Sequence, residues 1–140
     1  AFYCDTPLIT KKDFNPFILT NEEYPLKYLL GLLNSKLISY LYINISTLAS
    51  KDDFRQTTLS ELRKLPIKKM TVANKERVVF LVNKMLSLHK RLNELGDKHT
   101  VERERIEEEI KKTDAEIDEL VYKLYGITDE EKRIIEGSSK

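Results

Sequence analysis

From Leu26 to Leu41 apolar residues return every third or fourth position, at Leu26, Leu29, Leu30, Leu33, Leu37, Tyr40 and Leu41. That spacing puts one apolar stripe on a helix and predicts a single helix over this stretch. Thr20-Asn21-Glu22-Glu23 just before it has the Thr-x-x-Glu form of a capping box, so the helix is expected to start there. Gly31 inside the stripe costs roughly 1 kcal/mol against alanine, a cost best borne where another backbone packs closely. Upstream, the apolar runs AFYC and PFILT are separated by Thr6-Pro7 and Lys11-Lys12-Asp13 and read as short strands or extended segments. A polar loop from Ser46 to Thr57 follows the first helix. Thr58-Leu59-Ser60-Glu61 then opens a short helix that must end before Pro66.

Beyond Pro66 the period changes. Val78, Leu81, Met85, Leu88, Leu92 and Leu95 alternate steps of three and four, as do Ile106, Ile110, Thr113, Ile117, Leu120 and Leu124. Gly96-Asp97 separates the two runs, so they predict two heptad-bearing helices folded back as an antiparallel hairpin. Thr113 is the polar member of the second seam. Gly126 suits a C-terminal cap, and Thr128-Asp129-Glu130-Glu131 is a capping box for a last short helix. The expected fold is α+β and mostly helical: a small α/β head over residues 1–70, then a coiled-coil-like hairpin and terminal helix over residues 71–140.

Composition narrows the class without naming it. The chain has 140 residues, 34% charged and 41% hydrophobic, with a net charge of +1, so any polyanion contact must be local. Its single cysteine, Cys4, cannot form an internal disulfide, which points to a reducing, cytoplasmic setting. The most apolar run, Tyr28 to Ile45, carries Asn34, Ser35 and Lys36 at its middle and therefore reads as a buried helix and not a membrane span. The abrupt start at AFYCDTPLIT, without methionine, reads as a piece of a longer protein.

Charge is nonetheless sorted along the chain. From Arg55 to Arg77 there are seven basic residues and two acidic ones, whereas in ERERIEEEIKK acids alternate with bases at helical spacings as a solvated helix face. Lysine and arginine neutralise phosphates, and Arg55-Gln56-Thr57 offers a guanidinium, an amide and a hydroxyl that suit base edges or phosphate near a helix start. Two readings stay open on composition alone: a polyanion-binding surface, or charge that only keeps a helix soluble. Catalytic chemistry is not suggested. There is no Gly-rich phosphate loop, no Cys/His metal cluster and no Ser/His/Asp set, and His89 and His99 lack evident ligand partners. Asn15-Pro16-Phe17 resembles the Asn-Pro-Pro-aromatic loop of amino-methyltransferases but lacks the second proline, and serves as well as a turn.

The order YLLGLLNSKL (Tyr28–Leu37), FRQTTLSELRKLPI (Phe54–Ile67), heptad hairpin and TDAEIDELVYKLYGITDEE (Thr113–Glu131) resembles the target-recognition domains of bacterial restriction–modification enzymes. It looks like the TaqI-like C-terminal specificity domain that follows an adenine-specific methyltransferase in single-chain type IIG enzymes. Type I specificity subunits are similar, but often run from Leu-Pro-Ile into Pro-Pro and Glu-Gln, where this chain has Lys68-Lys69-Met70. The resemblance implies a non-catalytic module that selects a duplex DNA sequence for a fused catalytic domain. S-adenosylmethionine and Mg would then belong to the parent enzyme and not to this segment. It also implies a hairpin that spaces, docks or forms a homodimer. On this reading Lys51, Arg55, Gln56 and Thr57 approach DNA, with Lys11 and Lys12 as secondary contacts. Gln56 and Thr57 could instead cap the Thr58 helix. The competing class is a helical docking or dimerisation module with no nucleic-acid role.

Overall fold

The structure, a computed structural model, describes residues 1–7, 9, 16–45 and 59–138. Among these residues the regular elements are all helices: α1 (Leu26–Leu33), α2 (Lys36–Ile45), α3 (Leu59–Leu62), α4 (Val72–Leu95), α5 (Val101–Tyr125) and α6 (Asp129–Ser138). The α/β head is therefore corrected to a helical one, as no described residue forms a strand. An extended segment becomes a strand only when a neighbour pairs its backbone. The described parts of AFYC and PFILT find no such neighbour, and Phe2, Phe17 and Ile18 stay exposed.

The predicted first helix is in fact two. Ser35 breaks it: its hydroxyl donates to the Leu32 carbonyl (2.6 Å) and accepts from the Ile38 N–H (3.4 Å), ending α1 and capping α2 together. The decisive partner comes from far along the chain. Asp118 on α5 is buried, and its Oδ1 accepts the Lys36 N–H at 2.9 Å, so a carboxylate sits on the positive end of α2. Lys36 returns its ammonium to Asp118 Oδ2 at 3.5 Å.

The first capping box also fails. Pro25 disfavours helical backbone at Tyr24, so α1 starts after the proline and without a side-chain cap. Asn21 instead closes a turn, accepting from the Glu23 N–H through Oδ1 (2.9 Å) and from the Tyr24 N–H through its carbonyl (3.2 Å). The box at Thr128 forms as expected: Glu131 accepts from the Thr128 N–H (2.8 Å), and the Thr128 hydroxyl accepts from the Glu131 N–H (3.3 Å). Gly126 takes the left-handed conformation (φ 68°, ψ 32°) that ends α5.

Helices α4 and α5, 24 and 25 residues long, pack along each other as the expected antiparallel pair. Each arm is about 36 Å long at about 1.5 Å per residue. Pairs such as Lys84–Glu109 (3.2 Å) and Arg91–Glu102 (2.6 Å) bridge the arms. Helix α1 lies on α4, while α2 packs on α5 and α6. The core accordingly sits at the base of the hairpin, where Tyr28, Leu32, Leu37 and Ile38 meet Val78, Val82, Ile117 and Val121. Thr113 is fully buried in the seam. Nearer the tip, Leu88, Leu92, Leu95, Ile106 and Ile110 are only half-buried.

Gly31 sets how closely α1 approaches α4. A Cβ there would stand 2.8 Å from Val78 Cγ1 and 3.0 Å from Val82 Cγ2. The close neighbours are thus side chains of α4, where the sequence suggested a backbone. Gly31→Val should lower the unfolding free energy by about 1–3 kcal/mol through overpacking, with part recovered in a Gly31→Val/Val78→Ala double variant, read from urea midpoints.

Burial, opposed by the Lys36 N–H, raises the Asp118 carboxyl above the usual carboxylate range. The folded state therefore holds this proton more tightly than the unfolded chain. Its contribution is complete below the unfolded value and declines as pH rises through the folded one. The stability of the native protein minus that of Asp118→Asn should fall as pH rises above the ordinary carboxylate value, and a flat or rising difference in chemical denaturation would contradict the assignment.

Candidate nucleic-acid interface

The segment from Leu65 to Met70 joins the head helices to α4 with no regular secondary structure, so its backbone draws partly on side-chain partners. Two tyrosines do so. Tyr28, buried on α1, donates to the Lys68 carbonyl at 2.8 Å. Tyr125, in the last turn of α5, donates to the Pro66 carbonyl (2.7 Å) and accepts from the Lys68 N–H (3.0 Å). Burial raises both phenols above the usual tyrosine range, keeping them protonated as donors. Leu65 and Met70 turn into the core on either side.

Six of the seven clustered basic residues are described, and the structure divides them by task. Lys69 pairs with Glu23, which holds the Glu23 carboxyl below its ordinary value. Lys75 donates to the Glu23 carbonyl (2.5 Å) and lies over the Tyr24 ring, 5.7 Å from its centroid. Lys68 donates to the Leu124 carbonyl at 3.0 Å, neutralising the end of α5. These three fasten the junction to its surroundings. Arg63, Lys64 and Arg77 are exposed. Arg77 projects where the first turns of α4 face the last turn of α5, beside Lys123, another exposed cation that run-counting along the sequence missed. An open cleft of about 380 Å³ lies between them.

Lys11, Lys12, Lys51, Arg55, Gln56 and Thr57 lie outside the described residues, as does Thr58 of the second capping box. What can be placed is the stretch that follows Thr58. It enters α3 at Leu59, and α3 stops at Leu62, before Pro66, as expected. The chain then passes directly into the tyrosine-held segment. His89 and His99 are exposed, and no group of three or more metal-ligating side chains occurs among the described residues. No helix among them is long and apolar enough to cross a membrane.

Comparison with known proteins shows what the head is similar to. Residues 1–67 match the TaqI-like C-terminal specificity domain. The resemblance read from the sequence is borne out over that stretch, and the match ends at Ile67, inside the segment held by Tyr28 and Tyr125. A Methanocaldococcus jannaschii protein, provisionally named a type II restriction enzyme and methyltransferase, is 43% identical over 127 residues. That alignment takes in 89% of this chain, hence much of the hairpin, but only 10% of the relative. The chain thus spans about a tenth of that protein's length. No solved structure matches. The hairpin too, then, has a counterpart in that relative.

The junction makes a direct prediction. Because both Tyr125 bonds are solvent-exposed, water can replace them, so Tyr125→Phe should cost about 0.5–1.5 kcal/mol and not a full buried-group penalty. Faster amide exchange at Lys68 in that variant would locate the loss.

Proposed function

We propose that this chain is the DNA target-recognition part of a restriction–modification enzyme. It directs a fused adenine-specific methyltransferase, with or without endonuclease activity, to its sequence. The observation that carries this reading is the specificity-domain match over residues 1–67, and the relative's name supports it. The segment itself is non-catalytic, and S-adenosylmethionine and Mg serve the catalytic part of the parent protein. Such an enzyme works on duplex DNA in the cytoplasm, a setting that suits the free, exposed thiol of Cys4.

Sequence choice falls to the loop that precedes α3. Arg55 and Gln56 can form paired hydrogen bonds to base edges, while Lys51 and Thr57, with Lys11 and Lys12, suit phosphates. The tyrosine-held segment gives this loop a fixed downstream anchor. The half-buried seam near the hairpin tip supports a second role for the distal arm, as a docking face for the catalytic part or for a second copy. The placement of Arg63, Lys64 and Arg77 would suit a fragment of a type I specificity subunit equally well, but the relative's name favours the fused type II arrangement.

In the full-length enzyme, Arg55→Ala/Gln56→Ala should change which sites are methylated while leaving the thermal midpoint within a degree or two of the native protein. Sequencing of methylated sites on a random-sequence library reads this out. An unchanged site preference would remove the two residues from the recognition role.

A further inference from the structure

The cleft at the hairpin base lies wholly beyond the residues that the specificity-domain match covers, since its lining comes from the segment Lys68–Thr71, from α4 and from α5. Leu120 and Leu124 form part of its floor, and Lys68, Lys69, Arg77 and Lys123 surround it without a single lining carboxylate. Two of these cations are occupied. Lys69 is paired with Glu23, and Lys68 spends a donor on the Leu124 carbonyl. Arg77 and Lys123 have no ion pair among the described residues. The carboxylate one turn before Lys123, Glu119, is taken by Lys132 of α6. The carbonyls of Tyr122 and Lys123, which would otherwise hold a cation at this helix end, accept the Ile127 (2.9 Å) and Gly126 (3.2 Å) N–H groups. Positive charge is therefore left facing outward from a concave surface, where it lacks an internal counterion.

We propose that this cleft receives a backbone phosphate of duplex DNA, held by Arg77 and Lys123 with Thr71 and Asn74 beside them, so that the hairpin base grips DNA irrespective of sequence. The inference rests on the DNA-recognition reading above and extends it from the head to the hairpin. A guanidinium and an ammonium on facing helices are suited to a phosphodiester oxygen pair. The lining has no aromatic ring on which a base could stack, and the cleft is open along one side, which fits a phosphate on a continuous strand better than a free nucleotide. The contact would also fix register: a loop anchored at Leu65–Met70 and a phosphate held immediately beside that anchor define where the recognition residues meet the groove.

The test compares the full-length protein with its Arg77→Gln/Lys123→Gln variant, binding random-sequence duplex in a salt series by fluorescence anisotropy. Both side chains are exposed, so an unchanged thermal midpoint is expected and is checked first. Loss of one phosphate contact should weaken binding several-fold on every sequence and reduce the slope of log K against log salt by about 0.9, with site preference unchanged. A Lys111→Gln/Lys112→Gln variant, with the same charge loss farther along α5, should keep the native slope. Identical affinity and slope in the Arg77/Lys123 variant would overturn this inference alone, as would an equal loss in the Lys111/Lys112 control. A native protein that binds no duplex at low salt would overturn the recognition reading, and this inference with it. Displacement of the DNA by ATP at constant ionic strength, abolished in the Arg77/Lys123 variant, would assign the cleft to a free nucleotide and overturn it too.

Discussion

One short stretch of backbone, Leu65 to Met70, has to cross between two packed bodies of helix without any ladder of its own, and two phenols supply what it lacks. Tyr28 approaches from α1 and Tyr125 from α5, one from the head and one from the hairpin. Polar groups in such a crossing must find partners or water. Because the partners come from two separate helices, these particular bonds form together only when head and hairpin are docked. Its hydrogen bonds thereby report on the whole arrangement.

Two further contacts make that docking specific. Gly31 brings α1 so near to α4 that no larger residue fits without a shift, which fixes the separation of the two helices. Asp118 reaches from the hairpin to the first N–H of α2, which fixes where the head chain turns. One is a steric limit and the other an electrostatic attraction, and they act on opposite arms of the hairpin. Together with the tyrosines they make a three-point attachment, with the apolar core of Tyr28, Leu32, Val78 and Val121 filling the space enclosed.

The sequence was legible wherever the signal was local. The heptad steps located both arms, Gly126 marked an end, and Thr128 with Glu131 marked a beginning, because each depends on residues within a turn or two. It misled where a distant or overriding group decided. The stripe from Leu26 to Leu41 runs through Asn34-Ser35 without interruption, yet the helix breaks there, helped by a carboxylate from α5. Thr20 and Glu23 had the right spacing for a box, but Pro25 forbade the helix that would have used it. Apolar runs near the start suggested strands because composition shows a preference for extended backbone but not the partner a sheet requires. For the candidate interface, counting charges found a basic segment but could not tell which ammonium groups serve the fold. Lys68, Lys69 and Lys75 are tethers, and Lys123, which shares a cleft with Arg77, is distant in sequence and becomes a neighbour only through the hairpin.

The paired arms also have a consequence for how such a module can change. A helix couples length to rotation, so every residue added to one arm turns whatever lies beyond it by about 100° while advancing it about 1.5 Å. The cross-arm bonds Lys84–Glu109 and Arg91–Glu102 require both arms to keep phase. A single insertion would swing one partner about 100° away from the other. A matched seven-residue insertion in each arm would instead lengthen the shaft by about 10 Å and rotate its end by only about 20°. The hairpin is therefore a ruler graduated in heptads: evolution can reset the reach between what sits at its tip and what sits at its base in steps, but not continuously.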